Sequence, residues 1–163
     1  MKKLISIAVV LLCSAWVVSA QTSAQKAATK NQRPALTRRV IKTDKAPQGI
    51  GVYSQAIVYG DLVFTSGQIG MNPATGQMAE GGFAEQAEQV LRNLAAVLEA
   101  AGSDMSQVLK TTVFLADMDD FNAMNEIYRR HFKENPPARS TVQVARLPRN
   151  ARIEIEAIAV VTK

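Results

Sequence analysis

The chain has 163 residues, with nineteen Lys and Arg against fourteen Asp and Glu for a formal net charge of +5. One cysteine, Cys13, excludes an internal disulfide, and if it leaves with a leader segment a cysteine nucleophile is excluded as well.

The N-terminus reads Met1-Lys2-Lys3, then a mostly apolar run from Leu4 to Val18, then Ser19-Ala20, which is the charge, apolar core and small-residue exit of a secretory signal. The run is shorter than the roughly 20 residues that span a bilayer, so cleavage after Ala20 and a periplasmic or secreted product are expected, with the membrane met only through the uncleaved signal. Gln21 to Pro34 has no apolar period and reads as a flexible linker. Residues 21–45 hold seven basic residues and one acid, whereas residues 46–163 hold ten basic and thirteen acidic ones. The expected organisation is therefore a signal (1–20), a basic linker (21–37) and one mildly acidic domain (38–163). The arm reads as a solvated tether, the sharper alternative being attraction to anionic lipid or cell-wall polymer. It carries no aromatic residue on which a base could stack, so no nucleic-acid partner is expected.

Within the domain, Arg39 to Thr43 has strand composition. Ala56–Tyr59 and Leu62–Thr65 flank Gly60-Asp61, which predicts a hairpin. Residues 67–82 are dense in turn formers and are expected to be loop. From Phe83 to Ala101 apolar residues recur at three and four, predicting an amphipathic helix ended by Gly102. Val108–Leu115 has the composition of a strand covered on both sides. A second helix is expected after a cap at Asp119 or Asp120, with Phe121, Met124, Ile127, Tyr128, His131 and Phe132 on one face and Pro136-Pro137 as its stop. Ser140–Ala145 and Arg152–Val161 read as the last two strands. This order predicts an α+β fold, one mixed sheet with both helices on one face and the other face left for oligomerisation to cover.

Gly49-Ile50-Gly51 is no dinucleotide site, because Ser54 stands at the third glycine position and a hairpin follows. His131, the single histidine, lacks metal-ligand spacing or a triad signature and reads as structural. Two polar residues resist a structural reading. Arg139, beside the rigid Pro137 turn, offers a planar fork to a carboxylate, and Glu154 interrupts the apolar pattern between Ile153 and Ile155. With Thr65-Ser66-Gly67-Gln68 at a strand end they describe a polar pocket for a small anion, if the fold brings the segments together.

Ala46-Pro47 with Ile50 to Gln55, Thr65 to Ile69, Lys110 to Phe114, Pro137-Ala138-Arg139-Ser140, Ala145 to Pro148 and Ile153 to Val160 follow one another in the order seen in the RidA/YjgF family of enamine/imine deaminases, which the chain resembles from about Val40 to Val161. The resemblance implies a chorismate-mutase-like subunit assembled as a homotrimer, with sites in the clefts between subunits. It implies hydrolysis of small 2-imino acids to 2-keto acids and ammonia without a metal or organic cofactor. Arg139 then matches the arginine that binds the substrate carboxylate, and Glu154 the acid associated with the attacking water. Tyr53, Ser66, Gly67, Asn125 and Thr141 match substrate-binding positions. Val52, Pro136 and Thr141 depart from the family's usual proline, aromatic and cysteine, and none of these changes removes the guanidinium or the acid. The alternative from another class is a non-catalytic trimer of the same fold that binds small carboxylates or acts as a chaperone.

Overall fold

The computed structural model describes residues 37–49 and 51–162; the expected signal and all but the last residue of the expected linker lie outside them. In chain order the elements are β1 (Arg38–Ile41), β2 (Ala56–Tyr59), β3 (Leu62–Thr65), β4 (Gln68–Ile69), α1 (Phe83–Ala101), β5 (Val108–Leu115), α2 (Phe121–His131), β6 (Ala138–Gln143) and β7 (Ile153–Val160). The strands form one sheet in the order β1-β2-β3-β7-β5-β6, with β4 also on β7. β5 and β6 run parallel and the other pairs antiparallel, so the sheet is mixed as expected.

The β2–β3 hairpin turns on Gly60-Asp61, where Gly60 takes a φ of 61° that costs a residue without Cβ nothing. β4 lies inside the stretch expected to be loop. Two residues are too few to show a period, and they are held because β7 is long enough to pair first with β3 and then with β4. Between them the ladder is interrupted at Ser66-Gly67, and the Thr65 hydroxyl accepts from the Ala157 N–H at 2.9 Å.

α1 follows its apolar period and closes at Gly102, whose φ of 86° lets its N–H reach the Glu99 and Leu98 carbonyls. The start of α2 differs from expectation. Asp120 makes no capping bond and instead receives Arg152 Nη2 at 2.8 and 3.0 Å, while Asp117 caps the preceding turn by accepting from Asp119 N. The helix ends at His131, before Pro136-Pro137, because Phe132 leaves helical geometry at φ −115°, ψ 76°.

Strand alternation sorts the sheet into two faces. Val63, Thr111, Val113, Leu115, Ile153, Ile155, Ala157 and Ala159 are buried in the core that α1 and α2 cover. Register places Val40, Tyr59, Phe64 and Val142 on the opposite face, where each is between 41% and 53% exposed. β5 is accordingly not covered on both sides within one chain, since Lys110, Thr112 and Phe114 of its other face stay partly open. The same face carries Lys110, Thr112, Glu154 and Glu156 beside these apolar side chains.

Candidate active site

Glu154 lies on β7 opposite Phe114 of β5 and Ile69 of β4, and points to the open face. Together with Tyr53, Ser66, Gly67, Ile69, Pro148 and Arg149 it lines a cleft of about 500 Å³. Burial, and then the negative charge of Glu156, raises the Glu154 carboxyl above its ordinary pKa. Gly67 makes this possible, because a Cβ there would stand 2.6 Å from Glu154 Cδ and 2.8 Å from Cγ. The carboxyl occupies the space a side chain would need.

The neighbouring backbone is held by amides. Gln55 is buried, its Nε2 donating to the Thr43, Ala46 and Pro47 carbonyls and its Oε1 accepting from Thr43 N. The Gln55 carbonyl accepts from Ser66 N and from Ser66 Oγ at 2.9 and 3.1 Å, and Ser66 Oγ in turn accepts from Gln68 Nε2. The Ser66 hydroxyl thus has its donor and one acceptor position engaged inside the protein, and its evident role is to shape the turn that presents Gly67. Tyr53 is half exposed at the rim, where Gly49 and Gly51 leave room for its ring: added Cβ atoms would sit 3.1 Å from Cε2 and 3.4 Å from Cδ1. The far wall is the Pro148–Asn150 turn, in which Arg149 and Asn150 both hold a φ of 54° and the Arg146 guanidinium grips Asn150 Oδ1 through two N–H groups at 3.1 and 2.8 Å.

Arg139 belongs to a different pocket. It lies on β6, and its guanidinium stacks 4.7 Å from the Tyr128 ring centroid and 5.7 Å from that of Phe121. Nη2 donates to Asn125 Oδ1 at 2.8 Å and Nη1 approaches Met124 Sδ at 3.5 Å. Asn125 therefore touches the arginine itself and can orient it. Tyr128 is fixed in turn by a 2.7 Å bond between its hydroxyl and Thr111 Oγ1 and by the Phe132 ring at 4.4 Å. Burial raises the Tyr128 pKa against the opposing effects of Thr111 and the Arg139 charge, so the ring stays neutral beneath the cation. Asn125, Tyr128, Phe132 and Arg139, with Pro136-Pro137, line a pocket of about 360 Å³. Thr141, two residues along β6, has a buried Oγ1 with no partner among the described residues, a hydroxyl left over for a ligand or water.

The sheet keeps these two groups apart. Arg139 is in register with Thr111 and Ala157, on the helix-covered face, whereas Glu154 is in register with Phe114 and Val142, on the open face. One chain therefore gathers Tyr53, Ser66, Gly67 and Glu154 on one side and Asn125, Arg139 and Thr141 on the other. Sequence reasoning missed Gln55, Tyr128 and Phe121 as parts of these assemblies. The sequence places Tyr128 only on the shared face of the second helix, and its partner Arg139 lies eleven residues away with no periodic link to it. His131 has the structural role expected of it, pairing through Nε2 with Glu88 Oε2 at 2.8 Å while Arg130 takes the other oxygen, which clips α2 to α1. Among the described residues no group of three or more His, Cys, Asp or Glu is placed to hold a metal ion.

The profile of the endoribonuclease L-PSP family matches residues 43–161. The chain is 56% identical over 125 residues to the human 2-iminobutanoate/2-iminopropanoate deaminase, spanning 77% of this chain and 91% of the human protein. Crystal structures of RidA from an Antarctic Psychrobacter species and of E. coli TdcF with bound serine each superpose with a TM-score of 0.73, at 46% and 43% identity. These matches cover 75% and 76% of this chain, and 98% and 99% of those chains respectively. The chain thus belongs to the RidA/YjgF family.

Proposed function

We propose that this protein hydrolyses small 2-imino acids to 2-keto acids and ammonia, in a site completed between two copies of the chain. The observation that carries the reading is the split arrangement itself: a carboxylate-binding fork and an acid with a raised pKa, each in its own built pocket, on opposite faces of one sheet. The human relative's name supplies the substrate class, and the serine bound to TdcF matches it in size and in carrying a carboxylate.

In this account Asn125 and Met124 hold the Arg139 guanidinium by one edge, leaving its other N–H groups for the two oxygens of the substrate carboxylate. The fixed carboxylate places the C=N carbon before Glu154 of the neighbouring copy. Water adds to that carbon as Glu154 takes one of its protons. The same carboxyl delivers that proton to nitrogen, giving an adduct that carries a hydroxyl and an amino group, and then relays the hydroxyl proton to the amino nitrogen as the C–N bond breaks, so that ammonia leaves and the keto acid remains. Alignment of water, carbon and acid accounts for most of the rate.

The assembly that supplies both halves is a homotrimer joined over the open sheet face, whose exposed Val40, Tyr59, Phe64 and Val142 need cover. Sedimentation at micromolar concentration tests it. Export is proposed from the N-terminal pattern, with a periplasmic or secreted product beginning at Gln21, and intact-mass analysis of secreted and periplasmic fractions tests that. The activity is tested by incubating purified protein with freshly generated 2-iminopropanoate and 2-iminobutanoate and following ammonia and keto acid. A rate no greater than spontaneous hydrolysis removes the deaminase reading and leaves a carboxylate-binding protein.

A further inference from the structure

Asn93 is polar and fully buried on the core face of α1, with its side chain at 0% exposure among Val90, Leu94 and Val97. Its Nδ2 donates to the carbonyls of Ile69 and Met71 at 3.0 and 2.8 Å, and its Oδ1 accepts from Gln89 Nε2 at 2.7 Å. A buried amide with its partners satisfied is a rigid tie, and an apolar replacement would take the Asn93 donor from the Met71 carbonyl and leave the Ile69 carbonyl only its bond from Met71 N at 2.8 Å. What it ties is the segment beside the acid. Ile69 is the β4 residue in register with Glu154, and Gly67, two residues earlier, packs on the Glu154 carboxyl. Gly70 lets this segment press on the helix backbone, where a Cβ would lie 2.7 Å from Gln86 Cα. The Gln86 side chain then accepts from Arg152 N at 2.9 Å, just ahead of β7. Gln86, Gln89 and Asn93 fall three and four apart, so a single stripe of α1 amides grips both strands that meet at Glu154.

We propose that Asn93 is a positioning residue of the active site, which fixes the Gly67–Ile69 segment against Glu154 and so sets the place of the acid. This rests on the deaminase reading for its kinetic consequence but not for its structural one. β4 is only two residues long, and its pairing with β7 cannot hold it alone as an eight-residue ladder could. The Asn93 amide provides the missing anchor. Loosening β4 admits water to the carboxyl, whose raised pKa depends first on burial.

The test compares wild type with Asn93→Leu, close in volume but without the amide, and with Asn93→Ser, which supplies a folded variant should the leucine not assemble. Leu98→Ala serves as a stability control, removing core packing from the same helix away from residues 69–71. Two readouts are taken on each folded protein: kcat and KM for 2-iminopropanoate, and titration of the Glu154 carboxyl by carbon-13 NMR. The expected result for the Asn93 variants is a fall in kcat on the order of 10- to 100-fold with KM little changed, as for an ångström-scale misplacement, and a Glu154 titration moved down toward the ordinary glutamate range. Leu98→Ala should lower the melting temperature and move neither. A Glu154 titration unchanged in the Asn93 variants overturns the proposal. A shifted titration in a wild-type background that has no imine turnover supports the positioning role while removing the deaminase reading, so the two fail separately.

Discussion

Gly67 and Glu154 share one volume: a Cβ added to the glycine would stand 2.6 Å from the Glu154 carboxyl carbon. The atoms in the way belong to a side chain and not to backbone, so the chain can relieve Gly67→Ala by swinging the acid out of place. We predict that Gly67→Ala folds with a melting temperature near that of wild type and loses on the order of 100-fold in kcat, the expected cost of misaligning a catalytic group. Thermal melts and steady-state deamination check both halves of the statement.

Arg139 is assigned the substrate carboxylate. Removing a hydrogen bond to a charged group costs about 1.5–3 kcal/mol, and two such bonds with misalignment should lower kcat/KM on the order of 100-fold or more in Arg139→Ala. Arg139→Lys keeps the charge but loses both the planar fork and the stack on Tyr128, and should rescue little. Asn125→Ala releases one edge of the guanidinium and should cost less than either. Full activity in Arg139→Ala would refute the assignment.

The pH dependence follows from the sign of the Glu154 shift. Accepting a proton from water requires the carboxylate, and burial with Glu156 raises the pKa, so the carboxylate is lost already as pH falls through a value above the ordinary glutamate range. The acid limb of kcat/KM, which reports the free enzyme, should therefore lie above the ~4.3 of a model glutamate. Glu156→Gln should move that limb down, and Glu154→Gln should abolish it along with most of kcat. A limb at or below the model value would show that this carboxyl is not the base.

Much of this fold is legible in the residues. The three-and-four spacing from Ala87 to Ala101 with Gly102 beyond it gives α1, and two β-prone runs about Gly60-Asp61 give the hairpin. β4 is not legible, because Gln68-Ile69 has no period of its own and is held by β7 and by Asn93 from a distant helix. Asn93 itself carried a signal, a polar residue three beyond Val90 and four before Val97, within the buried stripe. Arg139 and Glu154 stand out as residue types in odd places, but their lying on opposite faces depends on β5–β6 and β5–β7 register, which local sequence does not fix. The Asp120 cap failed for a similar reason, since Arg152 from across the fold offers that carboxylate a better partner than the helix N-terminus.

Tyr128→Phe separates stability from activity. It keeps the ring beneath Arg139 but leaves the fully buried Thr111 hydroxyl without its partner, at a cost of about 1–3 kcal/mol. Chemical denaturation should show that loss, while kcat/KM per folded protein stays close to wild type. A large kinetic loss would mean that the Tyr128 hydroxyl itself meets the substrate.

The central claim, that Arg139 of one copy works with Glu154 of another, is tested most directly by mixing two inactive variants. Arg139→Ala retains the acid and Glu154→Gln retains the fork, so co-refolding them at equal amounts regenerates intact sites wherever the fork of one meets the acid of the other. With random assembly in a closed ring about one quarter of the sites are restored, and the mixture should recover about that fraction of wild-type deamination while either variant alone remains inactive. Persistent inactivity of a mixture shown by mass to contain mixed trimers would contradict the account, because it would place both residues of each working site in the same chain.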